Sequence, residues 1–151
     1  MRYLADAFVV GALKRGRPVE QFLGPIGAPD RPGVRYVEVR PAKAPYEVYV
    51  HTVEDVGRER FFDLVEFPPF DTDDDGEEFG RLVATAEDPS TALATAEKIT
   101  GAVPGRWVNE SMVQAEYADF VQAGRPTDRS PDGHPWPKHA KFAVPPSASA
   151  R

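Results

Sequence analysis

Cysteine is absent from these 151 residues. That one absence removes disulfide frameworks, thiolate zinc sites, iron–sulfur clusters and a cysteine nucleophile together. No apolar run approaches the roughly 18 residues a membrane helix needs. The opening stretch MRYLADAFVVGALKRGRPVE is mildly apolar, but Asp6 interrupts it and no small-residue cleavage site closes it, so the chain is expected to be soluble and cytoplasmic. No nucleophile elbow, P-loop, zinc-protease helix or dinucleotide fingerprint occurs, which leaves no ready-made catalytic motif. Nor is there a basic stripe with interleaved aromatics, and nucleic acid is not the expected partner.

Charge is plentiful and unevenly placed. Residues 47–88 hold 14 acidic against 3 basic side chains, a formal −11, while the remaining residues hold 10 against 15, a formal +5. A segment so one-sided favours a cation or a basic protein surface as its counterpart. Its densest part is Asp71 to Phe79, DTDDDGEEF.

With 41% hydrophobic residues the chain can bury a core, and its length suits one domain. Val34–Arg40, Tyr46–Val53 and Arg60–Phe67 are β-branched and aromatic runs with short connections, the pattern of an antiparallel meander. Val48 and Val50 alternate with Glu47, Tyr49 and His51, as on a strand with one wet face. The third run has apolar residues on both faces, which predicts a central strand. Upstream, Pro18 followed by Val19–Leu23 and Gly24 reads as a brief helical turn, and Tyr3–Leu13 fits a helix or a strand.

Downstream, Asp88-Pro89-Ser90-Thr91 has the form of an N-cap with proline at the first helical position, and Gly101 closes that helix. Leu93, Ala96 and Ile99, with Ala92, supply its stripe. A second helix is expected from Asn109 or Ser111, where Ser111 to Gln114 has capping-box spacing; Val113, Tyr117, Phe120 and Val121 then repeat on one face. The expected fold is therefore α+β, a three- to four-stranded meander sheet packed against two main helices. Residues 1–126 form the domain and residues 127–151 a proline-rich, extended or disordered tail, in which Trp136 between two prolines is a candidate docking anchor.

Two chemistries compete for DTDDDGEEF. An EF-hand calcium loop would take Asp71, Asp73, Asp75 and Gly76 at its first, third, fifth and sixth positions. Its twelfth position, a bidentate glutamate, would fall on Leu82, its eighth on Glu78, and Phe67-Pro68-Pro69-Phe70 opposes a helix leading in. No resident metal or other cofactor is therefore expected, with a divalent cation kept as the alternative ligand. The other chemistry is protein recognition: Asp71, Asp73, Asp74, Asp75, Glu77 and Glu78 would steer a basic partner, and Phe70 and Phe79 would anchor it. His51 with Glu47, or with Asp63, is the one acid–base set in view, and on a half-wet strand a lone histidine is ordinarily a solvent-facing side chain.

FFDLVEFPPFD, a capped helix ending AEKITGA and RWVNESMVQAEYADFVQAGRP, in that order, resemble small single-domain proteins of high-GC bacteria, some of them similar to immunity proteins of polymorphic toxin systems. The resemblance covers residues 19–126 and carries no individual functional residue. It implies a cytoplasmic protein that neutralises a toxin by binding it, without catalysis, and it accords with an acidic surface facing a basic toxin. A small structural subunit of a larger assembly is the remaining alternative.

Overall fold

The structure is a computed structural model that describes residues 2–41, 45–58, 61–70 and 80–137. Five antiparallel strands form one open sheet in the order β4-β3-β2-β1-β5, with β1 at Val19–Ala28, β2 at Arg31–Arg40, β3 at Tyr46–Glu54, β4 at Arg81–Ala86 and β5 at Val108–Asn109. The first four strands are a meander, and the chain then crosses back to lay β5 against β1. Helices cover both faces, so the α+β expectation holds in the form of an antiparallel sheet between helical layers.

Helices α1 (Asp6–Lys14) and α2 (Pro89–Thr100) lie on one face. Val9, Ala12 and Leu13 recur at helical spacing and pack with Ala92, Leu93 and Ala96 over Val19, Leu23, Val37, Val39, Val48 and Val50. Asp88 caps α2 by accepting the Thr91 N–H at 2.8 Å, and Gly101 ends it in the left-handed conformation. Those two signals work as the sequence implies. Helix α3 (Val113–Gln122) lies on the other face, where Val113, Tyr117 and Phe120 pack with Phe22, Val34, Tyr36, Leu64 and Phe67.

Three local expectations are corrected. Val19–Leu23 is not a helical turn but the start of β1, paired with β2 from Val19↔Val39 onward. Its glycine sits at a bulge between Phe22 and Gly24, where φ is +94° and a side chain would strike the Trp136 ring. Arg60–Phe67 is not a central strand; Arg60 lies outside the described residues, and Leu64–Glu66 form a short 3-10 turn. That turn buries Leu64 and Phe67 and leaves Phe61 and Val65 exposed, a spacing of three in place of the two a strand requires. Ser111 forms no capping box, since it is left-handed at φ +76° and α3 begins at Val113.

Residues 127–137 fold back on the domain, while residues 138–151 lie outside the described part. Ser130 N–H donates to the His134 carbonyl, and Trp136 packs edge-on against Phe22 and Phe120, its Nε1 donating to the Pro126 carbonyl at 3.0 Å. Trp136→Ala removes both ring contacts and that hydrogen bond, so urea denaturation should show a loss of about 2 kcal/mol, below the ~3–5 typical of fully buried tryptophan because this ring is half exposed. An unchanged midpoint would mean the ring does not belong to the core.

Candidate functional site

Two features of the sheet concern function, one at its β4 edge and one on the face that α3 only half covers.

β3 supports the edge. On one side it pairs with β2 along its length. On the other it meets two separate pieces of chain. Arg81–Ala86 pair with Tyr46–Val50, while Glu54 N–H donates to the Pro68 carbonyl at 2.9 Å and Phe70 N–H to the Thr52 carbonyl at 3.0 Å. Gly80, at φ +97°, has its backbone against His51, since a Cβ there would lie 2.6 Å from the ring. Phe70 beside Thr52 and Gly80 beside His51 occupy neighbouring points of one strand. Phe70 and Gly80, which flank residues 71–79 in the chain, are thus held at a single place on the sheet edge.

The anchors at that place are built from small residues and stacked rings. Phe70 lies against the backbones of Gly27 and Gly33, where added Cβ atoms would meet its ring at 3.1 and 2.4 Å. The Arg31 guanidinium sits 4.2 Å above the ring and donates to the Phe70 carbonyl. On the other side His51 stacks on Tyr36 with centroids 4.4 Å apart and planes 5° from parallel. Of the residues expected to meet a partner, Phe70 is therefore half-buried with internal contacts. Asp71, Asp73, Asp74, Asp75, Glu77, Glu78 and Phe79 lie outside the described residues.

The calcium geometry finds little support at the positions that are described. Leu82, in the place of the closing glutamate, sits in β4, and Pro68–Phe70 run extended beside β3 where a helix would lead in. Among the described residues, no group of three or more histidine and carboxylate side chains is placed to hold a metal.

The second feature is a row of ionisable side chains across the α3 face. Register sets Glu20 opposite Glu38 and Glu38 opposite Tyr49, and the next row pairs Phe22 with Tyr36 and Tyr36 with His51. Glu20, Glu38 and His51 are 8%, 9% and 8% exposed. His51 Nε2 lies 2.9 Å from Glu38 Oε1, and Arg40 Nε donates to Glu38 Oε2 at 3.0 Å while its guanidinium covers the Tyr49 ring at 3.9 Å. Burial pushes the Glu38 carboxyl up, but the hydrogen bonds from His51 and Arg40 outweigh it and hold the group below its ordinary range.

Glu20 has the opposite balance. Its Oε1 accepts the Ser111 N–H at 2.9 Å, meeting a donor at the start of α3 from across the sheet. Burial nevertheless dominates, the charges of Glu38 and Glu110 add to it, and the carboxyl is pushed up to about 7.

His51 is thus brought to Glu38, and not to Glu47 or Asp63. Glu47 accepts from the Tyr49 hydroxyl, and Asp63 accepts from Gln114 Nε2 at 3.0 Å. Glu20, Glu38, Tyr36 and Arg40 were not foreseen as a group. Their signal is a charged residue at matching registers of two strands, which stays invisible until Val19–Ala28 is known to be one of them.

The proton on Glu20 links this row to stability. The folded chain binds that proton more tightly than the unfolded chain, whose value is near 4.5. Its stabilisation is full below pH about 4.5 and is lost as pH rises through about 7. Glu20→Gln keeps the oxygen that accepts from Ser111 and removes the charge. Urea denaturation should find this variant more stable at pH 8 by on the order of 3 kcal/mol, with little change at pH 4.5. An equal effect at both pH values would contradict the burial account.

Comparison with protein-family models, curated proteins and solved structures gave no match to this chain.

Proposed function

We propose that the protein acts by binding and not by catalysis, holding a basic protein partner in the manner of an immunity-type protein, with residues 71–79 as the surface that steers the partner in. One observation carries the reading. The residues on either side of the most acidic run of the sequence, Phe70 and Gly80, are both fixed at adjacent points of β3. Functional loops on rigid scaffolds are built this way.

Four described arginines accord with the same reading. Arg2 pairs with Glu116 and Asp119, Arg40 with Glu38, Arg106 with Asp132, and Arg125 with Asp55, all outside residues 71–79. These four guanidiniums are committed elsewhere. A partner's lysines and arginines would meet the run, accelerate encounter and orient the complex. Several described acids of residues 47–88 do internal work instead. Asp55 binds Arg125, Asp63 binds Gln114 and Asp88 caps α2, so the steering surface is narrower than the whole acidic segment.

Co-purification with the products of adjacent genes tests the proposal. A single basic companion should bind at unit stoichiometry, more weakly at about 0.3 M salt than at about 0.05 M. The variant Asp73→Lys, Asp74→Lys, Asp75→Lys should fold normally and bind at least about 100-fold more weakly, with a flatter salt dependence. Undiminished binding by that variant would remove residues 71–79 from the interface.

A further inference from the structure

Beyond α3 the chain folds back along the domain as a strap, residues 127–137, whose own hydrogen bonds give it its shape. Ser130 N–H donates to the His134 carbonyl at 2.7 Å, Gly133 N–H to the Ser130 carbonyl at 2.9 Å and His134 N–H to the Ser130 hydroxyl at 3.1 Å, while Arg129 bridges to Pro135. The strap is a turn that closes on itself. From Thr127 to Pro135 every residue but Ser130 is exposed, and the Ser130 hydroxyl serves that same turn by donating to Asp132.

Among the described residues, the ties from strap to domain gather at two points. Arg106, just before β5, donates to Asp132 Oδ2 at 2.7 Å and to His134 Nδ1 at 3.2 Å. Trp136 lies half-buried in a cleft whose walls are Phe22 and Phe120, with centroids 5.6 and 5.8 Å from its own, and whose floor is the Gly24 backbone, where a Cβ would stand 2.6 Å from the ring. Since the Asp132 side chain is 44% exposed, its ion pair holds weakly, and the ring carries most of the docking.

The walls of the cleft do not depend on that ring. Phe22 and Phe120 meet each other at 5.6 Å, and both meet Tyr117, which also packs on Phe67. The point of turning is equally defined. Arg125, left-handed at φ +56°, is pinned by its bonds to Asp55 and to the Gly57 carbonyl, and its N–H donates to the Phe120 carbonyl at 2.9 Å. The domain ends firmly there, and residues 126–128 are left as the hinge.

We propose that residues 127–137 are a hinged strap that lifts from the domain as one piece while β1 and α3 stay folded, uncovering the aromatic cleft between Phe22 and Phe120 above Gly24. Segments with exposed backbone and few buried apolar contacts open at a small fraction of the global unfolding free energy. Lifting breaks the Arg106 pair, withdraws the Trp136 ring and frees its indole N–H from the Pro126 carbonyl, while the turn keeps its internal hydrogen bonds. The inference stands apart from the binding reading above.

The two indole groups of the full chain supply the test, because Trp107 is 2% exposed with its Nε1 donating to Glu97 at 3.0 Å. Their hydrogen exchange is followed by NMR at increasing urea below the unfolding transition, together with the Val37 amide of the central strand. The Trp136 indole should be protected about 10- to 100-fold, nearly independent of urea, while the Trp107 indole and the Val37 amide should be protected at least about 100-fold more and lose that protection steeply as urea rises. Asp132→Ala should lower the Trp136 protection about two- to fivefold and leave Val37 unchanged. Should that variant misfold, the exchange of the parent chain still decides. Equal protection of both indoles with the same steep urea dependence would mean that the strap leaves only when the whole domain unfolds, and would overturn the proposal. An unprotected Trp136 indole would mean that the strap is not seated on the cleft, and would overturn it as well.

Discussion

The ladder along β3 is the constraint on which the rest of the sheet, and the proposed binding surface beside it, depends. β3 is paired on both sides, and its outer neighbour is not one strand but two pieces of chain that meet near Thr52 and His51. Backbone donors and acceptors in a sheet must find partners, and here Pro68–Phe70 and Arg81–Ala86 supply them in turn. The residues between can therefore be chosen for something other than pairing.

Burial of charge on the α3 face shows a second balance. Glu38 is compensated from two directions, by His51 and by Arg40, and the Tyr49 ring under Arg40 completes the layer. Glu20 receives a backbone N–H but no cation among its described hydrogen bonds, so water withdrawal wins and the proton is held. A neutral Glu20 relieves the repulsion that two facing carboxylates would otherwise create across β1 and β2. Within the row, Glu20 meets the start of α3 at the Ser111 N–H and Glu38 ties His51 to Arg40, which orders this face of the sheet.

Legibility in the sequence followed the strength of local signals. α2 was readable at both ends because Asp88, Pro89 and Gly101 act within their own helix. β2 and β3 were readable because Val37, Val39, Val48 and Val50 alternate as a one-face pattern should. β1 was hidden by Gly24, Pro25 and Gly27, which read as breakers and in fact sit at a bulge and near the hairpin end, with φ +94° at Gly24 and +85° at Gly27. The run to Phe67 misled through aromatic density, its burial falling on Leu64 and Phe67 at 3-10 spacing. Within the site, the acidic run was visible from composition alone. Its setting was not, because the closeness of Phe70 and Gly80 depends on β3, a partner far away in the chain, and Arg35 and Glu38 are buried at positions where charge alone suggests solvent.

Replacing residues 71–79 by a three-residue neutral linker of glycine and serine separates support from function most directly. Phe70 and Gly80 stand beside neighbouring residues of β3, so the short linker should close the edge and change the unfolding free energy by no more than about 1 kcal/mol. Capture of the basic partner should disappear in the same protein. Loss of cooperative unfolding, or capture that survives the replacement, would contradict the account.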